Sequence, residues 1–275
     1  MLEPKHVSVI MPAYEARETI GEAVASVLAQ TYTALELSIV SDDGVDYAPF
    51  LPADPRIIIR TTGTRGAGPS LARNIGIDSA RYPFVGFLDS DDIWCPEKLQ
   101  VLTPLAHQNG IALDNVRYCY PTQKTPCGTY WDHPTEGYYD FAFFAQVSQG
   151  LWPIYRRDVI GDVRFLENLR FAEDAVFNLS LIAKNNGAYL CSQPLHEYRI
   201  RQGSLSQSPD SGAHAEHAYS WILAQLCGGD PLHFPPDEVS AAIRFFEERR
   251  QLNRAFIESG LSDFQNFEIR NRIRR

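Results

Sequence analysis

Short β-branched apolar runs alternate with amphipathic helical stripes along the first third of the chain, and this alternation restricts the fold more than any other feature. Residues 7–11 read Val-Ser-Val-Ile-Met and close on Pro12; residues 35–40, 56–61 and 84–88 repeat the pattern, each short and apolar enough for a strand of a buried sheet. Between the first two, Ile20, Val24, Val27 and Leu28 fall at i, i+4, i+7 and i+8, with Glu18 and Glu22 near the start, where the helix dipole favours acids. A glycine-rich turn over 63–68, followed by Pro69 at a first helical position, predicts a second helix over 70–79. The order predicts an α/β fold: a mostly parallel central sheet flanked by helices, with a ligand crevice at the carboxyl ends of the strands.

Beyond Cys95 the pattern loosens. A short helix is expected near 139–147, a strand over 152–156, and a helix over 172–184 with Val176, Leu179, Ile182 and Ala183 on one face. Turn residues at 208–212 read as a linker, and two helical segments follow, about 213–227 and 236–259. At 275 residues the chain has room for one large domain and an appendage. We therefore divide it into 1–206, with a nucleotide-side half 1–95 and a second half 96–206, and a helical extension 207–275.

Composition excludes several classes of function. With 44% hydrophobic and 21% charged residues the chain is globular rather than disordered. A net charge of −9 repels a phosphate backbone, so nucleic acid is not the expected partner. Five cysteines without a CxxC pair point to reduced thiols. No long apolar stretch or small-residue cleavage site marks the N-terminal region, so the expected location is cytoplasmic.

The strongest chemical signal is Phe87-Leu88-Asp89-Ser90-Asp91-Asp92-Ile93-Trp94, three carboxylates within four residues at a strand end. Like charges this close repel, and a cation offsets the cost. Oxygen donors without His or Cys select a hard ion, Mg²⁺ or Mn²⁺, of the kind that keeps open positions for substrate phosphates. One of Asp91 and Asp92 is also expected to cap the next helix. Asp42-Asp43-Gly44 has two readings, a carboxylate for a base or ribose and a common Asp-Gly turn. Arg73, in Ala72-Arg73-Asn74, either neutralises a phosphate or is a solvated helical charge.

Taken together these segments resemble the family 2 glycosyltransferases of the GT-A fold, over roughly residues 6–206. Val7 to Tyr14, Ser26 to Tyr32, Asp42-Asp43-Gly44, Ala72-Arg73-Asn74 and Phe87 to Trp94 come in the family's order and spacing. The resemblance implies a Rossmann-like GT-A domain carrying an inverting, nucleotide-sugar-dependent transferase, with a UDP-sugar as the expected donor and a saccharide or lipid-linked acceptor. Pro12, Ala13, Tyr14 and Glu15 would line the base pocket, Asp43 would hold the base, and Arg73 and Ser90 would sit on the nucleotide sugar. Asp89 and Asp91 would form the DxD motif for Mn²⁺ or Mg²⁺, Asp91 being the direct ligand.

Phe171-Ala172-Glu173-Asp174 resembles the family's Glu-Asp motif, which makes Asp174 the catalytic base. Chemistry supports a base there, since an acceptor hydroxyl must lose its proton as it attacks opposite the leaving diphosphate. Two acids at a helix start also complement the dipole. Tyr198-Arg199-Ile200-Arg201 with Ser204 and Ser206 resembles a segment that closes over the diphosphate, giving Arg201 and Ser204 as candidates.

Three places depart from the family pattern: Glu15 stands where Asn is common, Val45-Asp46 where Ser-Thr is common, and the segment before Arg73 is rich in glycine. Residues 63–70 do not follow the first strand and lack GK[ST], so they are neither a dinucleotide fingerprint nor a P-loop, and read as a flexible loop. His214 and His217 read as an exposed pair without a third zinc ligand. A sugar nucleotidyltransferase and an inactive glycan-binding scaffold are the rivals. The tail arginines 270, 272, 274 and 275 offer peripheral contact with an anionic membrane or a frayed, solvated end.

Overall fold

The computed structural model describes residues 6–120, 126–132, 134–146, 151–201, 208 and 210–261. Its strands are β1 (Val7–Ala13), β2 (Leu35–Ser41), β3 (Ile57–Thr61), β4 (Phe84–Phe87), β5 (Ile93–Trp94), β6 (Ile111–Cys119), β7 (Pro126–Thr129), β8 (Gly137–Tyr139), β9 (Ile154–Arg156) and β10 (Ala188–Arg199). The helices are α1 (Ile20–Leu28), α2 (Pro69–Ser79), α3 (Lys98–Asn109), α4 (Phe141–Phe144), α5 (Arg157–Ile160), α6 (Glu173–Lys184), α7 (Ser211–Gly228) and α8 (Val239–Ser259).

One sheet runs in the order β3-β2-β1-β4-β9-β6-β10-β5, with β7 on β6 and β8 on β10. The first four strands are mutually parallel, as the alternation requires, with Val7 opposite both Leu35 and Phe84. β9 enters antiparallel between β4 and β6, while β6 and β10 are again parallel. The first strand continues past Pro12 to Ala13, because β1 pairs beyond Ile10 only with β2.

Side chains alternate across the sheet with the period of two that a pleated strand imposes. Val7, Val9 and Met11 point to one layer, where Ile20, Val24 and Val27 of α1 meet Leu99 and Leu102 of α3. Ile10, Val85 and Phe87 point to the other, shared by Ile77 of α2 and by Phe177 and Leu181 of α6. Ala215, Tyr219 and Ile222 of α7 and Phe246 of α8 belong to the same apolar cluster. Ser211 and Gly212, expected in a linker, open α7 instead; Gly212 packs so near Ile257 that a Cβ there would lie 2.9 Å from its Cγ1.

Of the elements that hydrophobic periodicity did not show, the three longest are α3, β6 and β10. α3 carries an internal Pro104 and a fully buried Lys98, β6 carries Asp114 and Asn115, and β10 carries Pro194 with a register shift on either side. Lys98 and Asp114 explain each other: Nζ donates to Oδ1 at 2.6 Å with both side chains sealed from solvent. Burial acts oppositely on the pair, pushing the lysine down and the aspartate up.

Candidate active site

The parallel strands bring their carboxyl ends to one edge, where the chain turns into three loops. At the end of β1, Tyr14 is exposed and Glu15 has φ 49°, a left-handed turn held by its N–H, which donates to Asp43 Oδ2 at 2.8 Å. Asp43 accepts three more hydrogen bonds, from the Val45 N–H and from the Ser41 and Tyr47 hydroxyls. Burial alone would raise this carboxyl, but the four donors hold it below its ordinary range. Pro12 is half-buried and Ala13 buried at the floor of the same turn.

The neighbouring carboxylate, Asp42, clamps the glycine-rich turn. Its Oδ1 accepts from the Thr62 hydroxyl and the Ala67 N–H and its Oδ2 from the Gly68 N–H, and its carbonyl accepts from Gly66. The turn read as flexible is therefore anchored at several atoms, with Gly68 at φ 106° feeding the start of α2. Arg65 reaches back from it to Glu15 at 2.9 Å and lies 6.0 Å from the Tyr14 ring centroid.

The acidic strand end is the centre of the arrangement. Arg73, on the buried side of α2, donates through Nη2 to Asp89 Oδ1 at 2.9 Å and through Nη1 to Glu173 Oε1 at 3.0 Å. Its guanidinium lies 5.3 Å from the centroids of both Trp152 and Phe165, and its side chain is 5% exposed. One buried cation thus joins the end of β4 to the start of α6, where Ala172 at φ 60° turns the chain so that Glu173 and Asp174 head the helix.

Burial raises both of these acids. Glu173 is pushed up to about 7, by desolvation first and then by the charge of Asp174. Asp174 is raised by desolvation despite the opposing charge of Arg73, and its Oδ1 accepts the Ala175 N–H. Asp91 is likewise raised by burial and by Asp89, and Arg201 donates to its Oδ2 from Nε at 3.0 Å and Nη2 at 2.6 Å. Ser90 sits half-buried between the two aspartates.

Neither Asp91 nor Asp92 caps a helix: β5 follows, and α3 begins at Lys98 without a side-chain cap. Asp92 turns inward, where its Oδ2 lies 2.9 Å from His196 Nε2 and its Oδ1 accepts the Arg199 N–H. Desolvation raises the aspartate well above its ordinary value and drops the histidine well below its own, because burial disfavours the charged form of each. This pair fixes the acidic loop to β10, whose end carries Arg201.

Pro12, Ala13, Tyr14, Glu15, Asp43, Arg73, Asp89, Ser90, Asp91, Asp174 and Arg201 all belong to this edge, whereas Ser204 lies outside the described residues, as do the tail arginines. Phe165 and His196 escaped the sequence reading because the site residues they meet, Arg73 and Asp92, lie 92 and 104 positions away. A cavity of about 720 Å³, lined by Ile77, Phe84, His107, Arg156, Arg157 and Arg164 among others, opens at the amino-terminal end of β4 and contains none of the candidate residues.

Among the described residues no group of three or more His, Cys, Asp or Glu is arranged to hold a metal ion. Asp89 and Asp91 supply two hard oxygen donors from one turn, which suits an ion that completes its shell with substrate phosphates rather than protein ligands. The donor set therefore fits a divalent cation shared with a diphosphate.

The sequence model of "Glycosyl transferase family 2" matches residues 8–149, more than half of the chain. The chain belongs to glycosyltransferase family 2. Relatives of this glycosyltransferase include the putative teichuronic acid biosynthesis glycosyltransferase TuaG of Bacillus subtilis, 31% identical over 208 residues, covering 74% of this chain and 82% of TuaG. Another is the UDP-Glc:alpha-D-GlcNAc-diphosphoundecaprenol beta-1,3-glucosyltransferase WfgD of Escherichia coli, 31% identical over 206 residues, 74% of this chain and 80% of WfgD. Among solved structures, S. aureus TarS 1–349 in complex with UDP-GlcNAc superposes with a TM-score of 0.65 at 20% identity, over 89% of this chain and 72% of that one. The mannosyltransferase PcManGT of Pyrobaculum calidifontis, in complex with GDP-Man and Mn²⁺, gives 0.59 at 14% identity over 92% and 74%. The glycosyltransferase therefore has the GT-A fold expected of it, and no helix among its described residues is long and apolar enough to cross a membrane.

Proposed function

We propose that the protein transfers a glycosyl group, with inversion, from a nucleotide diphosphate sugar to a hydroxyl of a saccharide or lipid-linked acceptor in bacterial polysaccharide synthesis. The observation that carries this reading is the Arg73 bridge, which draws the DxD carboxylate Asp89 and the head of α6 into one pocket edge. A donor held at the carboxyl ends of β1, β2 and β4 has its diphosphate beside Asp89 and Asp91 and its sugar toward Asp174. The acceptor oxygen forms a bond to the anomeric carbon as the bond from that carbon to the diphosphate oxygen breaks; the hydroxyl proton passes to Asp174, and the diphosphate leaves as the anion.

Asp91, with Asp89, would hold Mn²⁺ or Mg²⁺, which when bound supplies positive charge to the departing diphosphate. Tyr14 offers a ring to the base, Asp43 keeps the base loop in shape, and Arg201 has two donors for phosphate oxygens. Ser204 belongs to the same phosphate end. Arg73 acts through Asp89 and Glu173 rather than by touching the donor. Residues 1–206 form the catalytic unit, 1–95 the donor side and 96–206 the acceptor side, with α7 and α8 as its helical extension; the enzyme works at the cytoplasmic side of the membrane, with the basic tail as a peripheral contact.

A UDP-sugar is favoured as the donor because WfgD is named for UDP-Glc and TarS was solved with UDP-GlcNAc. The test is a panel of nucleotide sugars scored for thermal stabilisation with Mn²⁺, since only binding to the native form moves the midpoint. Transfer by Asp91→Asn and Asp174→Asn variants follows. D174N is expected to bind donor normally and lose at least about 100-fold in kcat, and near-normal turnover would refute the role of Asp174.

A further inference from the structure

The two guanidinium groups on the DxD acids are held very differently. Arg73 is walled between Trp152 and Phe165 and is 5% exposed, so its bond to Asp89 is a fixed part of the interior. Arg201 lies two residues beyond the end of β10, its side chain is 36% exposed, and its Nε and Nη2 converge on one oxygen of Asp91, itself 21% exposed. That oxygen belongs to the residue with most to give a cation. Two N–H groups on Oδ2 take up both of its lone pairs, so a divalent ion ligated through that oxygen must displace Arg201.

We propose that Arg201 is the resident counter-ion of Asp91, displaced by the divalent cation and transferred to the donor's diphosphate. The inference rests on the functional reading above and adds a sign to it. Without nucleotide, Arg201 and the cation compete for Asp91. With a diphosphate present, the guanidinium finds a second anion and the competition becomes mutual support, so cation and nucleotide each strengthen the other's binding. Arg201 is the more exposed member of this part-buried pair, so its guanidinium can swing away while Asp91 stays in place.

The experiment uses the full chain as wild type, R201Q and R201K. Mn²⁺ binding is measured from the paramagnetic resonance of the free ion, with and without UDP, and UDP binding by calorimetry at saturating Mn²⁺. R201Q is expected to bind Mn²⁺ about three- to tenfold more tightly than wild type when UDP is absent, from the lost competing pair and the lost repulsion. The same variant is expected to bind UDP about tenfold more weakly when Mn²⁺ is present, from the lost charge-assisted hydrogen bonds. R201K, which keeps the charge but not the double contact on one oxygen, falls between the two in both measurements. A residue with a merely structural role would not move the two affinities in opposite directions. Nucleotide-free Mn²⁺ affinity in R201Q and R201K that is unchanged or weaker, with wild type still binding Mn²⁺, overturns this inference alone. Wild type that takes up no Mn²⁺ with or without UDP overturns the functional reading and this inference together.

Discussion

Replacing Arg73 with methionine isolates the energetics of the bridge. Methionine keeps an apolar stem between Trp152 and Phe165, so little packing is lost; what disappears is the cation bonded to the Glu173 carboxylate, whose side chain is 10% exposed. Asp89 is 25% exposed and can rehydrate, so its share is small. Stranding a buried carboxylate costs about 3 kcal/mol, at the low end for a broken buried pair. For a chain of 275 residues the unfolding entropy is on the order of 0.6 kcal/mol per kelvin, which converts that loss to about 5 °C in Tm.

The loss must depend on pH, and its sign is fixed. Glu173 already stands at about 7, above its ordinary 4.5, because of burial and Asp174. Removing Arg73 takes away a lowering influence and raises it further. A carboxyl raised in the folded state stabilises below its unfolded value and loses that contribution as pH climbs through its folded one. R73M should therefore be nearly as stable as wild type at pH 5 and fall behind it as pH climbs past about 7, by about 2 kcal/mol at pH 8.5. The double variant R73M/E173Q should recover the Glu173 part of the deficit at pH 8.5, leaving the smaller part that comes from Asp174, which Arg73 also lowers. Thermal and urea unfolding followed by circular dichroism at the two pH values checks both points. A deficit equal at pH 5 and 8.5, or a double variant no more stable than R73M, would show that the bridge is not an electrostatic element.

Two further outcomes follow from the geometry. Asp174 must be ionised to accept a proton and is raised by burial, so the acid limb of kcat/KM should lie above the ordinary aspartate range; a limb at or below that range would contradict the assignment. Gly76→Ala places a Cβ 2.3 Å from Ile10 Cγ2, where α2 crosses β1, and should cost about 1–3 kcal/mol in urea unfolding with no compensating gain in activity.

The first four strands were legible in the sequence because they obey a simple rule: short, apolar and parallel, with amphipathic helices α1 and α2 between them. The acidic turn after β4 stood out because three carboxylates on one turn need a reason. Legibility failed where polar residues are buried against distant partners. Lys98 and Asp114 break the apolar patterns of α3 and β6 and cancel each other only in space. Arg73 reads as a surface charge until Glu173, 100 positions later, is folded against it. Asp92 reads as a helix cap because its partner His196 is 104 positions away. The Asp42 clamp was hidden for a related reason, since glycines signal conformational freedom while the carboxylate that removes it lies on another loop.

The antiparallel insertion of β9 reaches beyond strand order. The stretch that carries the family signature, 8–149, stops short of β9, so that segment by itself would leave the hydrogen-bonding groups of Phe84–Phe87 open on one side and β6 without either inner neighbour. Bare, apolar edges of this kind recruit other chains. The signature therefore marks ancestry without marking a separable folding unit: the later part of the chain brings the head of α6 and also seals the seam against strands of other chains.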